Sequence, residues 1–326
     1  MPVNKETDRV DDSVENRYKK FTQIEHVLAR PGMYVGDIAT VTSEQWILDT
    51  KGEKIISKFV TWNPGIYKIF DEIITNASDE CQRSKKVKNI HVSFEGNSIS
   101  VSNDGSGIPI KIHKEHNIYV PELIFGNLLS SSNYDDSKKR TTGGLNGLGA
   151  KLTNIFSKKF VVETVDATRK RHFRQEYRDN LTVKDEPVVK SFKGKPFTKI
   201  EFIPDFERFG LTGWTDDMIH LMTRRAMDIA ACTDKSVKVY LDDKELPVRH
   251  FQNYMDMYLG PPDVQFRLYE KVNDRWEIGV AISPDENFHQ VSFVNGIYTS
   301  KGGKHVEYVV NQICKKVCEW IEKSNP

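Results

Sequence analysis

The segment Phe70-Asp71-Glu72-Ile73-Ile74-Thr75-Asn76-Ala77-Ser78-Asp79 constrains this chain more than any other ten residues. Ile66, Ile69, Phe70, Ile73, Ile74 and Ala77 recur with helical spacing and predict a helix whose apolar side faces a core. At about 100° per residue, Glu72, Asn76 and Asp79 fall within roughly 60° of one another on the opposite surface. Asn63-Pro64-Gly65 predicts the helix start, with Asn as cap and Pro in the first turn. A face presenting carboxylate, amide and carboxylate can hold a magnesium ion and a water beside a phosphate. Taken alone, such a face is more often an ordinary solvated surface, and the segment by itself leaves both readings open.

A second segment, Thr141-Thr142-Gly143-Gly144-Leu145-Asn146-Gly147-Leu148-Gly149-Ala150-Lys151, holds four glycines within seven residues. Glycines let backbone N–H groups turn toward an anion without side-chain obstruction. The run from Ala150 to Phe156 predicts a helix, which places the glycines at its positive end. The spacing is not that of a Walker A loop: Ala150 separates Gly149 from Lys151, and Leu152 stands where Ser or Thr would bind Mg²⁺. The dinucleotide fingerprint is absent as well. A third segment, Ile99 to Pro109, follows alternating Val92, Phe94, Ile99 and Val101, a pattern that predicts a hairpin around Glu95-Gly96-Asn97. Asn103-Asp104-Gly105-Ser106-Gly107 then offers a short polar side chain followed by two glycines, as close approach of a flat base would need. It also reads as a plain Asx turn.

In this order, Glu-x3-Asn-x2-Asp on a helix, (Asp/Asn)-x-Gly-x-Gly and a glycine lid entering a helix resemble the GHKL ATPases, which bind ATP in the Bergerat fold. Within that superfamily the chain resembles the N-terminal ATPase region of eukaryotic-type type IIA DNA topoisomerases. The likeness extends through Gln23–Leu28, Arg30–Gly36, Leu128–Asp136, Phe202–Asp205, Ser292–Gly296 and Thr299–Gly303. It implies an α+β fold with a mixed sheet covered by helices on one face, followed by the start of a transducer-type domain. It further implies ATP and Mg²⁺ as cofactors, an ATP-dependent homodimer gate, double-stranded DNA as the parent enzyme's partner, and a nuclear location, with mitochondrial or viral origin left open.

The resemblance also assigns residues. Glu72 matches the general base and Asn76 the Mg²⁺ ligand, while Asp79 completes the helix motif and orients water or the turn beneath the nucleotide. Asn103 stands where most GHKL proteins carry Asp, facing the adenine amino group, and Thr198 matches a threonine near the base. Ser131, Ser132 and Asn133 match residues touching ribose and phosphate. Gly144, Leu145, Asn146, Gly147, Leu148, Gly149, Ala150 and Lys151 match the phosphate-cradling lid. The family's lid usually reads Gly-Arg-Asn-Gly-Tyr-Gly, so Leu145 and Leu148 replace its Arg and Tyr. No counterpart of the family's transducer lysine, catalytic tyrosine or cleavage domain is found before Pro326, from which a fragment of a longer enzyme is expected. Two alternatives stay open: a nucleotide-dependent dimerisation module without turnover, and another GHKL ATPase of sensor-kinase, mismatch-repair or chaperone type.

The resemblance divides the chain into a strap over 1–20, an ATP-binding domain over 21–248 and a truncated transducer over 249–326. The strap is charged and short of apolar anchors, so it is expected to order only against a partner. The stretch Asp135–Arg140 predicts a mobile lid, 234–248 a hairpin turning at Asp242-Asp243, and 251–259 a helix. Strands are expected near 264–270, 276–282 and 289–295, with a closing helix over 303–323. Net charge is +1 and 38% of residues are hydrophobic, so no global basic field marks a nucleic-acid protein. The basic run Arg169–Arg174 reads as a solvated hairpin. No run approaches the ~18 apolar residues that span a membrane, and no membrane partner is expected. Four cysteines without paired spacing fit a reducing compartment. Cys314 borders the stripe Val306, Val309, Val310, Ile313, Val317 and Ile321 and is expected to pack. His113 and His116 read as loop residues.

Overall fold

The computed structural model describes residues 20–128, 142–144, 147–283 and 285–324. The chain enters through α1 (Gln23–Ala29), whose first turn is closed by a capping box between Thr22 and Glu25. An antiparallel ribbon of β1 (Val41–Leu48) and β2 (Ile55–Trp62) leads into α2 (Pro64–Arg83). Asn63 caps α2 by accepting the Ile66 N–H, with Pro64 in the first turn, as the spacing predicts. All six of its periodic apolar residues are buried. Each such side chain contributes about 1.5–3 kcal/mol on burial, so packing rather than intrinsic propensity holds the helix that carries Glu72.

The main sheet is built from β3 (Asn89–Glu95), β4 (Ser98–Asp104), β5 (Ser157–Asp166), β6 (Arg171–Arg178), β7 (Val183–Lys184), β8 (Val188–Ser191), β9 (Phe197–Pro204), β10 (Lys238–Leu241) and β11 (Lys244–Glu245). Its order is β11-β10-β3-β4-β9-β5-β6-β7, with β8 also on β6. The β10–β3 pair is parallel and the other pairs antiparallel, so the sheet is mixed. The expected hairpin turns at Gly96, where φ is +57°. Both Asp242 and Asp243 take positive φ at the β10–β11 turn, which Asp tolerates better than most residues. Arg169–Arg174 runs from a turn into β6, whose Phe173 is buried between exposed arginines.

Helices α3 (Val120–Gly126), α4 (Gly149–Ile155) and α5 (Asp216–Cys232) complete this layer. α2 packs on α4, α5 and β4, which brings the polar face of α2 beside the end of β4. α6 (Phe251–Leu259) follows where expected and buries Tyr254 and Met257 in the same core.

Beyond it come the ribbon β12 (Arg267–Asn273) with β13 (Trp276–Ala281), the hairpin β14 (Phe293–Val294) with β15 (Ile297–Tyr298), and α7 (Lys304–Ser324). The strand expected over 289–295 is thus two residues long, because the chain turns immediately at Asn295-Gly296. A second correction concerns α7: it buries no residue, and Cys314 is exposed rather than packed. Helical periodicity records amphipathicity, not burial: along this stripe Val306, Val309 and Val310 are half-buried, whereas Ile313, Val317 and Ile321 are exposed. No described helix is long and apolar enough to cross a membrane.

Candidate functional site

α2 projects Glu72, Asn76 and Asp79 in one direction, but the three environments differ. Asn76 is exposed and Glu72 half-buried, while Asp79 is only 2% exposed. Asp79 therefore is not part of a solvated face. Its two carboxylate oxygens accept the N–H groups of Gly143 and Gly144 at 2.8 and 2.9 Å. Burial raises the Asp79 pKa against the opposing pull of those two amides. Two donors to one carboxylate tie the glycine loop to α2 across 64 residues of chain.

The far end of the loop meets the same helix. A Cβ on Gly149 would lie 1.8 Å from Glu72 Oε2, so only glycine lets α4 begin against that carboxylate. Lys68, one turn earlier, is ion-paired with Glu72 and lies 3.9 Å from Asp71. Burial acts to lower the Lys68 pKa, but the Glu72 and Asp71 carboxylates outweigh it and hold the ammonium above its ordinary range. Gly147 takes φ +61° and Leu148 is half-buried. Ala150 and Lys151 are buried, and Lys151 Nζ donates to the Gly147 carbonyl. Burial pulls the Lys151 pKa down to about 8.

Asn103, nearly buried on β4, donates through Nδ2 to the Asp104 carbonyl at 2.7 Å. This orientation leaves Oδ1 as the acceptor for a ligand. Thr198 lies directly opposite Asn103 in the β4–β9 register. Its hydroxyl is 3.0 Å from that of Thr164, which accepts the Ile108 N–H at 3.0 Å. The Gly105–Pro109 turn is thereby fastened over β5. Gly107, at φ +66°, passes so close that a Cβ would sit 1.9 Å from the Val165 carbonyl oxygen. Ser131, Ser132, Asn133, Leu145 and Asn146, together with the 135–140 lid and residues 1–19 of the strap, lie outside the described residues. Two open clefts lie away from Glu72, Asn76 and Asn103: one along α7 at Ile313, Val317 and Trp320, the other at Tyr119, Arg171 and Lys190.

The arrangement joins an acceptor beside a hydroxyl, suited to a base edge, to a carboxylate and an amide beside a glycine loop, suited to a phosphate and a hard cation. The residues therefore fit a nucleotide with its metal.

Two features escaped the sequence reading. Arg224 and Arg225 are fully buried in α5, where Arg224 pairs with Asp228 at 2.6 Å and Arg225 with Asp71 at 2.6 Å. The Arg224-to-Asp228 spacing of four inside an apolar helix was the available signal. Secondly, His113 and His116 do occupy a turn, but with Glu115 their ligand atoms lie within 4.8 Å of one another.

Residues 63–200 match the family model for histidine kinase-, DNA gyrase B- and HSP90-like ATPases, and residues 238–326 match that for DNA gyrase B. DNA topoisomerase 2 of Arabidopsis thaliana is 47% identical over 322 residues, covering 96% of this chain and 22% of that protein. DNA topoisomerase 2-alpha of Homo sapiens is 47% identical over 320 residues, or 96% of this chain and 21% of that protein. The chain thus spans well under a third of the length of these relatives. The crystal structure of the ATPase region of Saccharomyces cerevisiae topoisomerase II superposes with TM-score 0.91 at 44% identity, covering 95% of this chain and 82% of that one. The ATPase and transducer domains of DNA topoisomerase II from Balamuthia mandrillaris give 0.91 at 44%, covering 96% and 80%. At 44% identity over 82% of a solved ATPase region, this chain belongs to the DNA topoisomerase II family, in the part that forms its GHKL ATPase region.

Proposed function

We propose that the chain binds and hydrolyses ATP with Mg²⁺ as the N-terminal dimer gate of a nuclear type IIA topoisomerase, whose parent enzyme passes one DNA duplex through another. The observation that carries this reading is the attachment of the glycine loop to the helix bearing Glu72 and Asn76. Glu72 polarises the attacking water. Asn76, exposed beside it, would supply an amide oxygen to a bound Mg²⁺, a hard cation that would neutralise phosphate charge. Asn103 and Thr198 receive the adenine edge. Ser131, Ser132 and Asn133 contact ribose and phosphate, and Gly144 to Lys151 close over the phosphates. Steady-state hydrolysis with and without Mg²⁺ tests the reading: metal-dependent ATP turnover is expected, and its absence leaves only the dimerisation-module alternative that Leu145 and Leu148 favour.

Base choice tests the adenine end. Asn103 Oδ1 accepts from an amino group, whereas guanine presents a carbonyl there and leaves the acceptor unpaired. Such a mismatch costs about 1–3 kcal/mol, or about five- to 150-fold in affinity. Competition between ATP and GTP for one fluorescent analogue reads this directly. Equal affinities remove Asn103 from the adenine contact.

The strap tests the gate. Residues 1–20 carry charge and few apolar anchors, so docking on a second protomer offsets their ordering cost better than folding back. A non-hydrolysable ATP analogue is expected to shift the intact chain toward dimer in sedimentation, and a chain lacking residues 1–20 to shift less. Equal dimerisation by both chains rejects the strap as the coupling element.

A further inference from the structure

The β14–β15 hairpin of the second unit reaches the candidate site. Asn295 and Gly296 take φ of +51° and +76°, the two positive values that a two-residue turn matching strand twist requires. The carbonyl of Gly296 accepts Arg225 Nη2 at 2.9 Å. The same guanidinium donates through Nε to Asp71 Oδ1 at 2.6 Å and through Nη2 to Thr75 Oγ1 at 3.3 Å. Asp71 and Thr75 immediately precede Glu72 and Asn76 on α2. The neighbouring Arg224 guanidinium lies 4.2 Å above the Tyr298 ring, within the range of a cation–π contact.

The turn touches the glycine loop as well. A Cβ on Gly143 would lie 2.9 Å from Ile297 Cγ1 and 3.2 Å from Thr75 Cγ2. The first glycine of the loop is thus held between the hairpin and α2, while its N–H bonds to Asp79. We propose that this hairpin is a latch on the nucleotide site, with Arg225 as the positioning residue that fastens it to α2. The latch holds the start of the glycine loop in place, so loosening it changes how long nucleotide stays bound rather than how fast it is cleaved.

The physics favours a latch over incidental packing. The Asp71 carboxylate already pairs with Arg225 and fixes its fork, so the bond to Gly296 adds little further ordering cost. Pulling the hairpin away would leave a buried guanidinium nitrogen with only the Thr75 hydroxyl, which is unfavourable. A ligand that pushes Gly143 toward the hairpin meets Ile297, and coupling of this kind is reciprocal between the two sites.

The inference rests on the nucleotide reading above, and the test separates the two. Three proteins are compared: the parent chain, Ile297→Ala, and Arg225→Lys, which keeps the charge beside Asp71 but loses the fork. Without nucleotide, amide exchange at Gly143 and Gly144 is expected to be at least about tenfold faster in Ile297→Ala, because the loop opens locally. Release of a fluorescent non-hydrolysable ATP analogue is expected to be at least about fivefold faster in both variants, with kcat of Ile297→Ala within about twofold of the parent. Unchanged exchange at both glycines in Ile297→Ala overturns the latch whether or not nucleotide binds. So does a fall in kcat at unchanged release, since it would assign the hairpin to the chemistry. A parent chain that binds no analogue sinks the nucleotide reading instead, and the exchange arm then decides the latch.

Discussion

Glu72→Gln is expected to lower ATP hydrolysis about 100-fold or more while analogue binding stays near that of the parent, as follows from removing a general base. The exchange is close to isosteric, so the tight seat of Gly149 against residue 72 is preserved. Lys68 loses one partner but keeps Asp71 nearby, which limits any loss of fold stability. Asn76→Ala is expected to act differently and weaken binding only where it depends on Mg²⁺, because its amide serves the cation rather than the water. Single-turnover hydrolysis, paired with analogue titration at several Mg²⁺ concentrations, resolves the two effects. Parent-like turnover by Glu72→Gln would take Glu72 out of the catalytic role.

The largest effect on stability is expected at Asp228. Fully buried, it accepts from Arg224 Nη2 at 2.6 Å and from the Tyr254 hydroxyl at 2.5 Å, with Arg225 Nη1 3.8 Å away. Arg224 Nε and Arg225 Nη1 already lack hydrogen-bond acceptors among the described residues. Asp228→Ala therefore leaves the Arg224 guanidinium without its carboxylate in the core, while Arg225 keeps Asp71, and removing one partner of a buried pair costs about 3–5 kcal/mol. The stack of Arg224 on Tyr298 is already present in the parent and so offsets none of that loss. Asp228→Asn keeps the shape and one acceptor and should lose less. Urea unfolding of the three proteins provides the measurement, and a loss below about 1 kcal/mol in Asp228→Ala would show that the two arginines find other compensation.

Short-range patterns in the sequence were enough to place the local elements. Spacing of 3.6 residues in α2, an Asn-Pro cap, alternation in β3 and β4, and a glycine run leading into α4 are all short-range signals, and each element formed where its signal lay. They also put Glu72, Asn76 and Asp79 on one helical side, since helix geometry needs no partner to do so. What periodicity could not decide was which polar groups would lose water. Asp79 looked like a third solvated residue, and only the return of the loop 64 residues later buried it and turned it into the loop's anchor. Arg225 carried no signal pointing to Asp71, 154 residues away, or to Gly296, 71 residues on. The parallel pairing of β10 with β3 was equally invisible. At α7 the converse holds: the stripe is plain in the sequence, yet Cys314 beside it is exposed. A local pattern records the period of a face, whereas desolvation depends on which distant segment lands upon it, and that is decided only when the whole chain packs.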